Sequence, residues 1–318
     1  MSLVTSQTHQ LANFELIADK TKTYITNAKS LNTRKAYRSD WQDFIGWCDI
    51  NCLTSLPASP HTIVAYLVER AQTLKVASLD RRLVSIRQAH SMAGHQFDKG
   101  NALIVETMKG IRNTHGAPQN AKAPILIEDL QGMIKQLDDT MRGKRDRALL
   151  LLGFTGAFRR SELVSLQVED MKVTKEGIEI LLRKSKTDQT GKGSMLPIPY
   201  GSNPDTCPVR SILAWLESAG IKEGAIFRGV NRHGHISAKG MNSASVALII
   251  KRNEHLKDRE AQFSGHSLRA GFVTTAAQRG VPEHAIMRQS RHKKSDTVKK
   301  YIRIANMWQD SAATKLGL

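Results

Sequence analysis

A polar segment at residues 113–124 (NTHGAPQNAKAP) limits how this chain can fold more than any other feature of the sequence. It holds two prolines and a glycine and has no hydrophobic periodicity, a composition typical of a linker. A chain of 318 residues has room for about two domains. We therefore predict an N-terminal tail at residues 1–20, a first domain at 21–112, the linker, and a second domain at 125–318.

Amphipathic patterns fill the first domain. Four apolar stripes with a helical period lie between the tail and the linker, which predicts a small all-helical domain. Serine, threonine and asparagine favour helix starts, proline the first turn, and glycine the helix end. The predicted start and stop residues are Asn32 or Thr33, Ser59 with Pro60, Ser78, and Gly110.

The second domain combines helical patterns with one pair of strands. Apolar alternation predicts strands at residues 178–182 and 195–199, joined by a polar loop too long for a tight turn. Helical patterns lie at residues 127–137, 144–156, 160–167, 208–219, 242–257, 266–279, 282–290 and 295–304. The predicted fold class is mainly α with a small β-sheet, an all-helical N-terminal domain being followed by a mixed α/β domain.

The charge balance indicates a polyanionic partner. The chain has 47 Lys and Arg against 29 Asp and Glu, a net charge of +18. Residues 1–120 hold 14 basic and 9 acidic residues, a net +5, so the remaining +13 lies in the second domain. No apolar run approaches the roughly 18 residues of a membrane span, and no lipidation motif is present. Nucleic acid is therefore favoured over an acidic membrane.

The three cysteines, Cys48, Cys52 and Cys207, have no metal-binding spacing. Such sparse cysteine usage is typical of a reducing compartment, and the first residues show no secretory signal. We expect a cytoplasmic protein that uses no metal and no cofactor.

Two segments in the first half of the second domain carry residues suited to an anion. In residues 155–163 (TGAFRRSEL), Arg159 follows a buried-looking run and lies beside a helix N-terminus, where anions are stabilised. Lys186 lies in the predicted hairpin loop, from which an ammonium group can reach a ligand and supply a proton. Taken alone, each segment is also compatible with ordinary structure, a capped helix or a solvated loop.

Two further segments lie near the C-terminus. His266 and Arg269 are three residues apart on one predicted helix face, so both can contact one phosphate. Tyr301 follows His292 by nine residues and is flanked by lysines, an unusual setting for a core aromatic. A phenol on a basic surface suits a nucleophile directed at a backbone phosphate. A histidine at a helix start and a tyrosine in the core remain the alternatives.

The order and spacing of these segments resemble the tyrosine recombinases of the phage integrase family. The shared pattern is Arg-x-x-Glu-Leu from Arg159, a hairpin lysine, His-x-x-Arg from His266, and a histidine nine residues before Tyr301. Similarity to the Cre-type recombinases extends to residues 32–41 (NTRKAYRSDW), and the likeness covers residues 30–305. Each motif is weak alone, whereas the ordered set is specific.

The resemblance implies a covalent mechanism. Tyr301 attacks the scissile phosphate and forms a 3′-phosphotyrosyl bond, Lys186 protonates the leaving 5′-oxygen, and His266 takes part in acid–base catalysis by accepting the tyrosine proton. The covalent link conserves the bond energy, so rejoining needs no ATP.

The resemblance also implies how the phosphate is held. Arg159 and Arg269 bind the non-bridging oxygens and stabilise the charge that develops there. His292 donates a hydrogen bond to the phosphate, and Glu162 supports the site from behind.

Two assignments stay open within the resemblance. Arg160 occupies a position that is often aliphatic in the family, and Arg159 is favoured over it because its spacing to the following glutamate matches. Lys184 and Lys192 share the loop with Lys186, which is favoured because Ser-Lys-Thr follows the strand.

Contacts with DNA and with other protomers are expected elsewhere. The resemblance places DNA contacts on two N-terminal helices and on the predicted helix at residues 242–257, although any one basic residue can belong to a solvated face. The candidate DNA-binding residues are Arg34, Lys35, Arg38, Ser78, Arg81, Arg82, Lys251 and Arg252. A C-terminal apolar stripe can fold back as core or dock into a neighbouring protomer, and the resemblance favours docking. Its residues are Ile304, Met307, Trp308 and Leu316.

The implied activity is site-specific DNA recombination. The substrate is double-stranded DNA with inverted-repeat sites, and a homotetramer exchanges strands through a Holliday junction without any cofactor. A bacterial, phage or mobile-element origin and association with the nucleoid follow from the same resemblance. The alternatives are a non-enzymatic helix-turn-helix regulator built on residues 276–286 (AAQRGVPEHAI), a type IB topoisomerase, and a telomere resolvase.

Overall fold

The structure is a computed structural model that describes residues 20–21, 23–116, 122–183, 193–253, 263–305 and 316. The chain divides into two compact units, residues 1–119 and 120–318. Each unit has a hydrophobic core of its own.

The described part of the first unit is all-helical, as predicted. Residues 23–27 are helical, and the longer helices are α1 (Leu31–Ile50), α2 (Pro60–Ala71), α3 (Val76–Met92) and α4 (Ala102–His115). Their apolar faces meet around Tyr66, whose ring lies edge-on to Phe44 at 4.9 Å and to Trp47 at 5.4 Å. Aromatic edge-to-face packing of this kind gives a small bundle a large buried apolar area.

Two of the predicted helix starts are wrong. The cap of α1 is Ser30, whose hydroxyl oxygen accepts the N–H of Thr33 at 3.2 Å, and not Asn32 or Thr33. α3 begins two residues before Ser78 and has no side-chain cap. α2 is capped by Ser59, as predicted.

The fourth helix passes through the glycine that was expected to stop it. α4 continues beyond Gly110 because its buried stripe, which includes Ile104, continues to Ile111. Burial of an isoleucine side chain outweighs the roughly 1 kcal/mol by which glycine disfavours a helix. Residues 113–115 of the predicted linker are therefore helical, and residues 117–121 lie outside the described part of the chain.

The second unit is mixed α/β, as predicted. Its helices are α5 (Ile127–Lys135), α6 (Met141–Thr155), α7 (Arg160–Ser165), α8 (Pro208–Ser218), α9 (Ser243–Arg252), α10 (Ser267–Gln278), α11 (Glu283–Ser290) and α12 (Ser295–Ala305). Its strands are β1 (Met171–Val173), β2 (Gly177–Leu182), β3 (Ser194–Pro199), β4 (Arg228–Val230) and β5 (Ile236–Gly240). The first three form an antiparallel sheet in the order β1-β2-β3, and β4 pairs antiparallel with β5 in a separate ribbon.

Helix α6 forms the centre of this unit. Residues 148–154 (ALLLLGF) are all buried, so the end of the helix is apolar on every side. Gly153 allows α10 to approach, because a Cβ there would lie 2.9 Å from Cδ1 of Leu268. The chain therefore leaves α6 from inside the core and emerges beside α10.

The β structure is larger than predicted. β1 pairs Met171 with Ile180 of β2, but it has only three residues, two of them exposed, so no apolar alternation marks it. The β4–β5 ribbon was likewise not predicted. α9 ends at Arg252, and residues 254–257 of that predicted helix and 184–192 of the predicted loop lie outside the described residues.

Candidate active site

The turn between α6 and α7 carries Arg159. Ala157 has a φ of +44°, and Arg159 is the last residue before α7. The backbone N–H of Arg159 donates to Oε2 of Glu162 at 3.0 Å, and its Nη1 donates to Oε1 at 2.5 Å. One carboxylate therefore fixes both the backbone and the guanidinium of Arg159.

Glu162 is a buried anion, with 2% of its surface exposed. Burial raises the pKa of Glu162, but the Arg159 N–H and the charges of Arg291 and Arg159 outweigh that effect and hold the pKa below its usual range. The carboxylate is thus charged at neutral pH and organises the arginines around it.

Arg269 lies in the first turn of α10 and is 5% exposed. Its Nη1 donates to the carbonyl oxygen of Ala157 at 2.8 Å, whereas its buried Nη2 has no hydrogen-bond partner in the described part of the chain. Burial, and then the charges of Arg159 and Arg291, lower the pKa of Arg269 to about 9. An unused buried N–H on a cation is costly until an anion accepts it, so Arg269 favours binding of a phosphate.

His292 is oriented by the end of α11. Its Nδ1 lies 2.7 Å from Oγ of Ser290, whose hydroxyl donates to the carbonyl oxygen of Ile286 at 2.6 Å. Because that hydroxyl proton is used, Nδ1 carries the imidazole proton and Nε2 holds the free lone pair. Burial, followed by the charges of Arg269 and Arg159, lowers the pKa of His292 to about 4. The ring is neutral at neutral pH, so Nε2 can donate to a phosphate only after it gains a proton.

Helix α12 carries Tyr301. The ring is half-buried against an apolar cluster that includes Val273 and Val298. His266, at the N-terminal end of α10, is exposed, and its backbone N–H donates to Oγ of Ser264 at 3.2 Å. Tyr301 is therefore anchored by packing on one side while the other side remains available for chemistry.

These side chains surround one cavity of about 500 Å³. The lining residues are Arg159, His266, Arg269, Ala270, His292, Lys293, Lys294, Thr297 and Tyr301. Among the described residues no Asp or Glu lines it, so the cavity combines a phenol and two imidazoles with an excess of positive charge. Such a set is arranged for transfer of a phosphoryl group to the phenol.

The structure separates the two adjacent arginines. Arg160 does not line the cavity, and its side chain covers Gly265, where a Cβ would come within 1.8 Å of the Arg160 Cδ. This placement supports Arg159 as the phosphate ligand. The predicted Lys186, and its alternatives in the same loop, lie outside the described residues, so the choice of lysine stays a prediction.

Sequence reasoning missed three basic residues at the site. Lys293 and Lys294 line the cavity, and Arg291 donates through Nη2 to Oε2 of Glu162 at 3.1 Å. The run RHKK at residues 291–294 signals local positive charge. The inward direction of Arg291 depends on a left-handed backbone at that residue, which no local pattern predicts.

The predicted DNA-binding residues of α1 differ in exposure. Lys35 and Arg38 are exposed, whereas Arg34 on the same helix and Ser78 on α3 are half-buried. Lys35 and Arg38 are therefore free to reach a polyanion, while the other two are partly occupied by packing.

Two arginines of α3 are committed to carboxylates. Arg81 donates through Nε and Nη2 to Asp40, which is 2% exposed, at 2.7 and 3.0 Å. Arg82 binds Asp43 and the hydroxyl of Tyr66, and its side chain is 14% exposed. Its guanidinium joins α3 to α1 and α2, and the contact of Arg82 with DNA stays a prediction.

Helix α9 shows the same division. Arg252 pairs with Asp146 of α6, which is 2% exposed and also binds the guanidinium of Arg145 at 2.7 Å. Arg252 therefore anchors α9, and its predicted role as a reader of bases loses support. Lys251 is exposed on the same helix.

The surface that leads into α9 is basic throughout. Residues 224–253 contain no Asp or Glu, and the exposed residues of the β4–β5 ribbon include Arg232, His233 and Lys239. This ribbon is a candidate DNA contact that the sequence patterns did not reveal.

Half of the predicted oligomerisation residues lie outside the described part of the chain. Ile304 lies in α12, Met307 and Trp308 lie outside the described residues, and Leu316 is 68% exposed.

A cavity of about 890 Å³ lies between the β2–β3 strands and α11, with apolar lining residues such as Ile198 and Phe272. It contains none of the predicted catalytic residues.

Within the described ranges, no helix is long and apolar enough to cross a membrane. In the same ranges no three metal-ligating side chains gather in one place.

A fold and a cavity of this kind define the class of the tyrosine recombinases. Residues 125–307 match the model described as "Phage integrase family". The chain therefore belongs to the phage integrase family.

Named relatives agree with this assignment. An integrase/recombinase XerD homolog of Selenomonas ruminantium is 39% identical over 318 residues, with 96% of this chain and 92% of the relative covered. A tyrosine recombinase XerC of Syntrophus aciditrophicus is 25% identical, with 87% and 88% covered. The predicted family is confirmed, and its Cre-type qualifier is looser, because these relatives are of the Xer type.

Solved structures share the fold. The Tn1549 transposon integrase in complex with transposon right end DNA superposes with a TM-score of 0.61 at 14% identity, covering 91% of this chain and 97% of that one. The XerH site-specific recombinase bound to palindromic difH substrate gives a TM-score of 0.59 at 15% identity, covering 80% and 72%.

Proposed function

We propose that this protein is a site-specific DNA recombinase that cleaves and rejoins DNA through a 3′-phosphotyrosyl intermediate. The observation that carries the proposal is the buried Nη2 of Arg269, which lacks a partner in the described residues and belongs to the cavity lined by Tyr301. A DNA phosphate in that cavity supplies the missing acceptor and lies within reach of the nucleophile. A named relative that is an integrase/recombinase supports the same activity.

The reaction exchanges one phosphoester bond for another at the same phosphorus atom. In the cleavage step the phenolic oxygen of Tyr301 attacks phosphorus while the bond from phosphorus to the 5′-oxygen breaks. The phenol proton passes to His266, and the leaving 5′-oxygen takes a proton from Lys186. In the rejoining step a 5′-hydroxyl attacks the phosphotyrosine and releases Tyr301, so one phosphodiester replaces another and no ATP is consumed.

The fixed cations stabilise the transition state. Arg159 and Arg269 face the non-bridging oxygens, where negative charge develops, and each such contact contributes about 3 kcal/mol to the lowering of the barrier. Burial, and then the charges of Arg269 and Arg159, keep His292 neutral, and the negative phosphate offsets the effect of the arginines. Binding of DNA therefore raises the pKa of His292, and its Nε2 gains the proton that it donates to the phosphate.

We propose that the substrate is double-stranded DNA with inverted repeats. Lys35 and Arg38 contact its backbone from the first unit, with Arg34, Ser78 and Arg81 beside them, and Lys251 contacts it from α9. Salt weakens these backbone contacts steeply, because each releases counterions.

We further propose that four protomers exchange strands through a Holliday junction. The apolar stripe of Ile304, Met307, Trp308 and Leu316 docks into a neighbouring protomer, and the cavity of about 890 Å³ has the apolar lining that such a segment needs. Strand exchange of this kind is typical of a bacterial or mobile-element protein that acts at the nucleoid.

The helix-turn-helix alternative agrees with the backbone but does not account for the cavity. Residues 276–286 do fold as the end of α10, a turn at Gly280 with a φ of +72°, and the start of α11. Burial of α10, the first helix of the pair, does not exclude this arrangement, since only Ile286 and Ser290 of the second helix, α11, are buried. A regulator, however, gives no role to Tyr301.

Denaturing electrophoresis after incubation with a nicked cognate site tests the proposal. Cleavage next to a nick releases a short oligonucleotide, so the covalent adduct accumulates. We expect an adduct with the wild-type protein and none with Tyr301→Phe, which still binds the site. Tight binding without any adduct favours a regulator, relaxation of plasmids of arbitrary sequence favours a type IB topoisomerase, and hairpin-ended products favour telomere resolution.

A further inference from the structure

Arg291 has an unusual backbone. It is the first residue after α11 and directly precedes His292, with φ 57° and ψ 39°, in the left-handed region. Glycine adopts this region at the lowest cost, so a long side chain there is retained against a conformational preference.

The side chain of Arg291 turns inward to the chain segment that precedes Arg159. Its Nη1 donates to the carbonyl oxygens of Gly156 at 2.9 Å and of Gln289 at 2.8 Å, and its Nη2 donates to that of Ala157 at 3.1 Å. One guanidinium thus joins the end of α11 to the turn between α6 and α7.

The same guanidinium completes the surroundings of Glu162. Its Nη2 also donates to Oε2 of that carboxylate at 3.1 Å, and it lies 5.1 Å from the ring centre of Phe158. The Arg291 side chain is 10% exposed and does not line the cavity. It cannot touch a phosphate there.

Two partners of Arg291 are also partners of the arginines proposed to bind phosphate. The carbonyl oxygen of Ala157 accepts from Nη1 of Arg269 at 2.8 Å, and Glu162 accepts from the backbone and the guanidinium of Arg159. Because Ala157 has a positive φ, the turn that presents its carbonyl needs support from outside. Arg291 supplies that support to both contacts at once.

We infer that Arg291 is a positioning residue for DNA cleavage, which sets the orientation of Arg159 through Glu162 and of Arg269 through the Ala157 carbonyl. The inference rests on the proposed function. Removal of the guanidinium lets both phosphate-binding side chains shift, and misplacement by about 1 Å costs about 10²-fold in rate.

Arg291→Gly is the sharpest test, because glycine suits the left-handed backbone and the variant loses only the side chain. Single-turnover adduct formation on a saturating nicked site gives the cleavage rate, and titration of the same site gives the affinity. We expect cleavage about 10²-fold slower with affinity within about threefold of wild type. Arg279→Gly, which removes an exposed arginine at the end of α10, controls for the charge and should match wild type.

A second measurement separates positioning from general destabilisation. If Arg291 acts through Glu162, the rate losses of Arg291→Gly and Glu162→Gln overlap, and the double variant is little slower than the worse single one. Arg291→Lys, which keeps the charge but not the four-way contact, should cleave at an intermediate rate, and it carries the test if the glycine variant does not fold.

The inference is overturned by a folded Arg291→Gly that cleaves at the wild-type rate, by losses that multiply in the double variant, or by binding that falls as much as cleavage. The adduct assay with wild-type protein distinguishes failure of the proposed function from failure of the inference about Arg291. Absence of any adduct with wild-type protein contradicts the recombinase itself, whereas a wild-type adduct with unaffected variants contradicts only the role of Arg291.

Discussion

Arginine clusters in the two units are organised in opposite ways. In the first unit, Arg70, Arg81 and Arg82 face two carboxylates, Asp40 and Asp43, that accept from all three. Its hydrogen bond to Asp40 raises the pKa of Arg81 above the ordinary value for arginine. The charges of this cluster nearly cancel, and its contacts join three helices.

In the second unit, Arg159, Arg269 and Arg291 have one carboxylate near them. This carboxylate, of Glu162, binds Arg159 and Arg291, whereas Arg269 binds the Ala157 carbonyl. Burial and the neighbouring cations lower the pKa of both Arg269 and Arg291. An excess of buried positive charge destabilises the free protein, and a bound phosphate relieves it. We therefore expect arginines matched by carboxylates to act in structure, and the underpaired Arg269 to act at the proposed site.

Substitution of Arg269 gives the largest expected effect. Arg269→Ala should slow adduct formation by about 10²–10³-fold, which corresponds to about 3–4 kcal/mol of transition-state stabilisation. It should leave the free energy of unfolding nearly unchanged, because the lost contacts are offset by removal of a desolvated cation. Cleavage of a nicked site and urea denaturation measure the two quantities. A large loss of stability would show that Arg269 is held as structure, like Arg81.

The arginine cluster of the first unit should affect stability rather than activity. Asp40→Asn leaves Arg81 with a weaker acceptor and should lower the free energy of unfolding by about 3 kcal/mol, at the lower limit for a buried pair because Arg81 is half exposed. Adduct formation per folded molecule should not change. Asp49→Asn, at an exposed position of the same helix, is the control and should have no effect on urea denaturation.

Much of this contrast could be predicted from sequence, and part could not. The order of Arg159, His266, Arg269 and Tyr301 in the sequence identified residues that the structure brings to one cavity. This was possible because the spacing of motifs along the chain can be recognised without knowledge of the tertiary contacts. Most helices were predicted within a few residues, since their apolar stripes are long. The passage of α4 through Gly110 was missed, because tertiary burial overrode a local stop signal.

Partnership, in contrast, is a tertiary property. Arg82 and Lys35 look equivalent in the sequence, as basic residues on helical faces. In the structure, however, Arg82 binds a carboxylate on another helix, whereas Lys35 is exposed. Arg291 could not be predicted for a related reason, because its direction depends on a left-handed backbone and on carbonyls more than a hundred residues away in the chain. Charge composition predicts a polyanion site but does not show which cations are already neutralised.

The pH dependence of stability sharpens the contrast at His292. The unfolded chain gains a proton on this residue near its ordinary pKa of 6.5, whereas in the folded protein the pKa is about 4. Stability is therefore complete above pH 6.5 and falls as the pH drops through this window, by about 2 kcal/mol once partial exposure is allowed for.

His292→Gln should flatten the fall in unfolding free energy between pH 6.5 and 4.5. Below pH 4.5 the protonation of Glu162, whose pKa is lowered, adds a separate loss in both proteins. His284→Gln, at an exposed position of α11, is the control and should keep the wild-type slope. A variant at His292 that retains the full slope would mean that burial and the neighbouring arginines do not lower the pKa of this ring.

The smallest expected effect separates the two neighbouring cations of α9. Lys251→Ala should weaken DNA binding by about 1 kcal/mol or less and reduce the salt slope of the logarithm of affinity by about one, as for a single phosphate contact. Arg252→Ala should lower the unfolding free energy instead, because Asp146 then keeps Arg145 alone as a cationic partner among the described residues. Binding titrations across a salt series, with urea denaturation in parallel, measure both. If Arg252→Ala changed the salt slope and left stability intact, pairing with a buried carboxylate would not be a valid sign of a structural arginine in this protein.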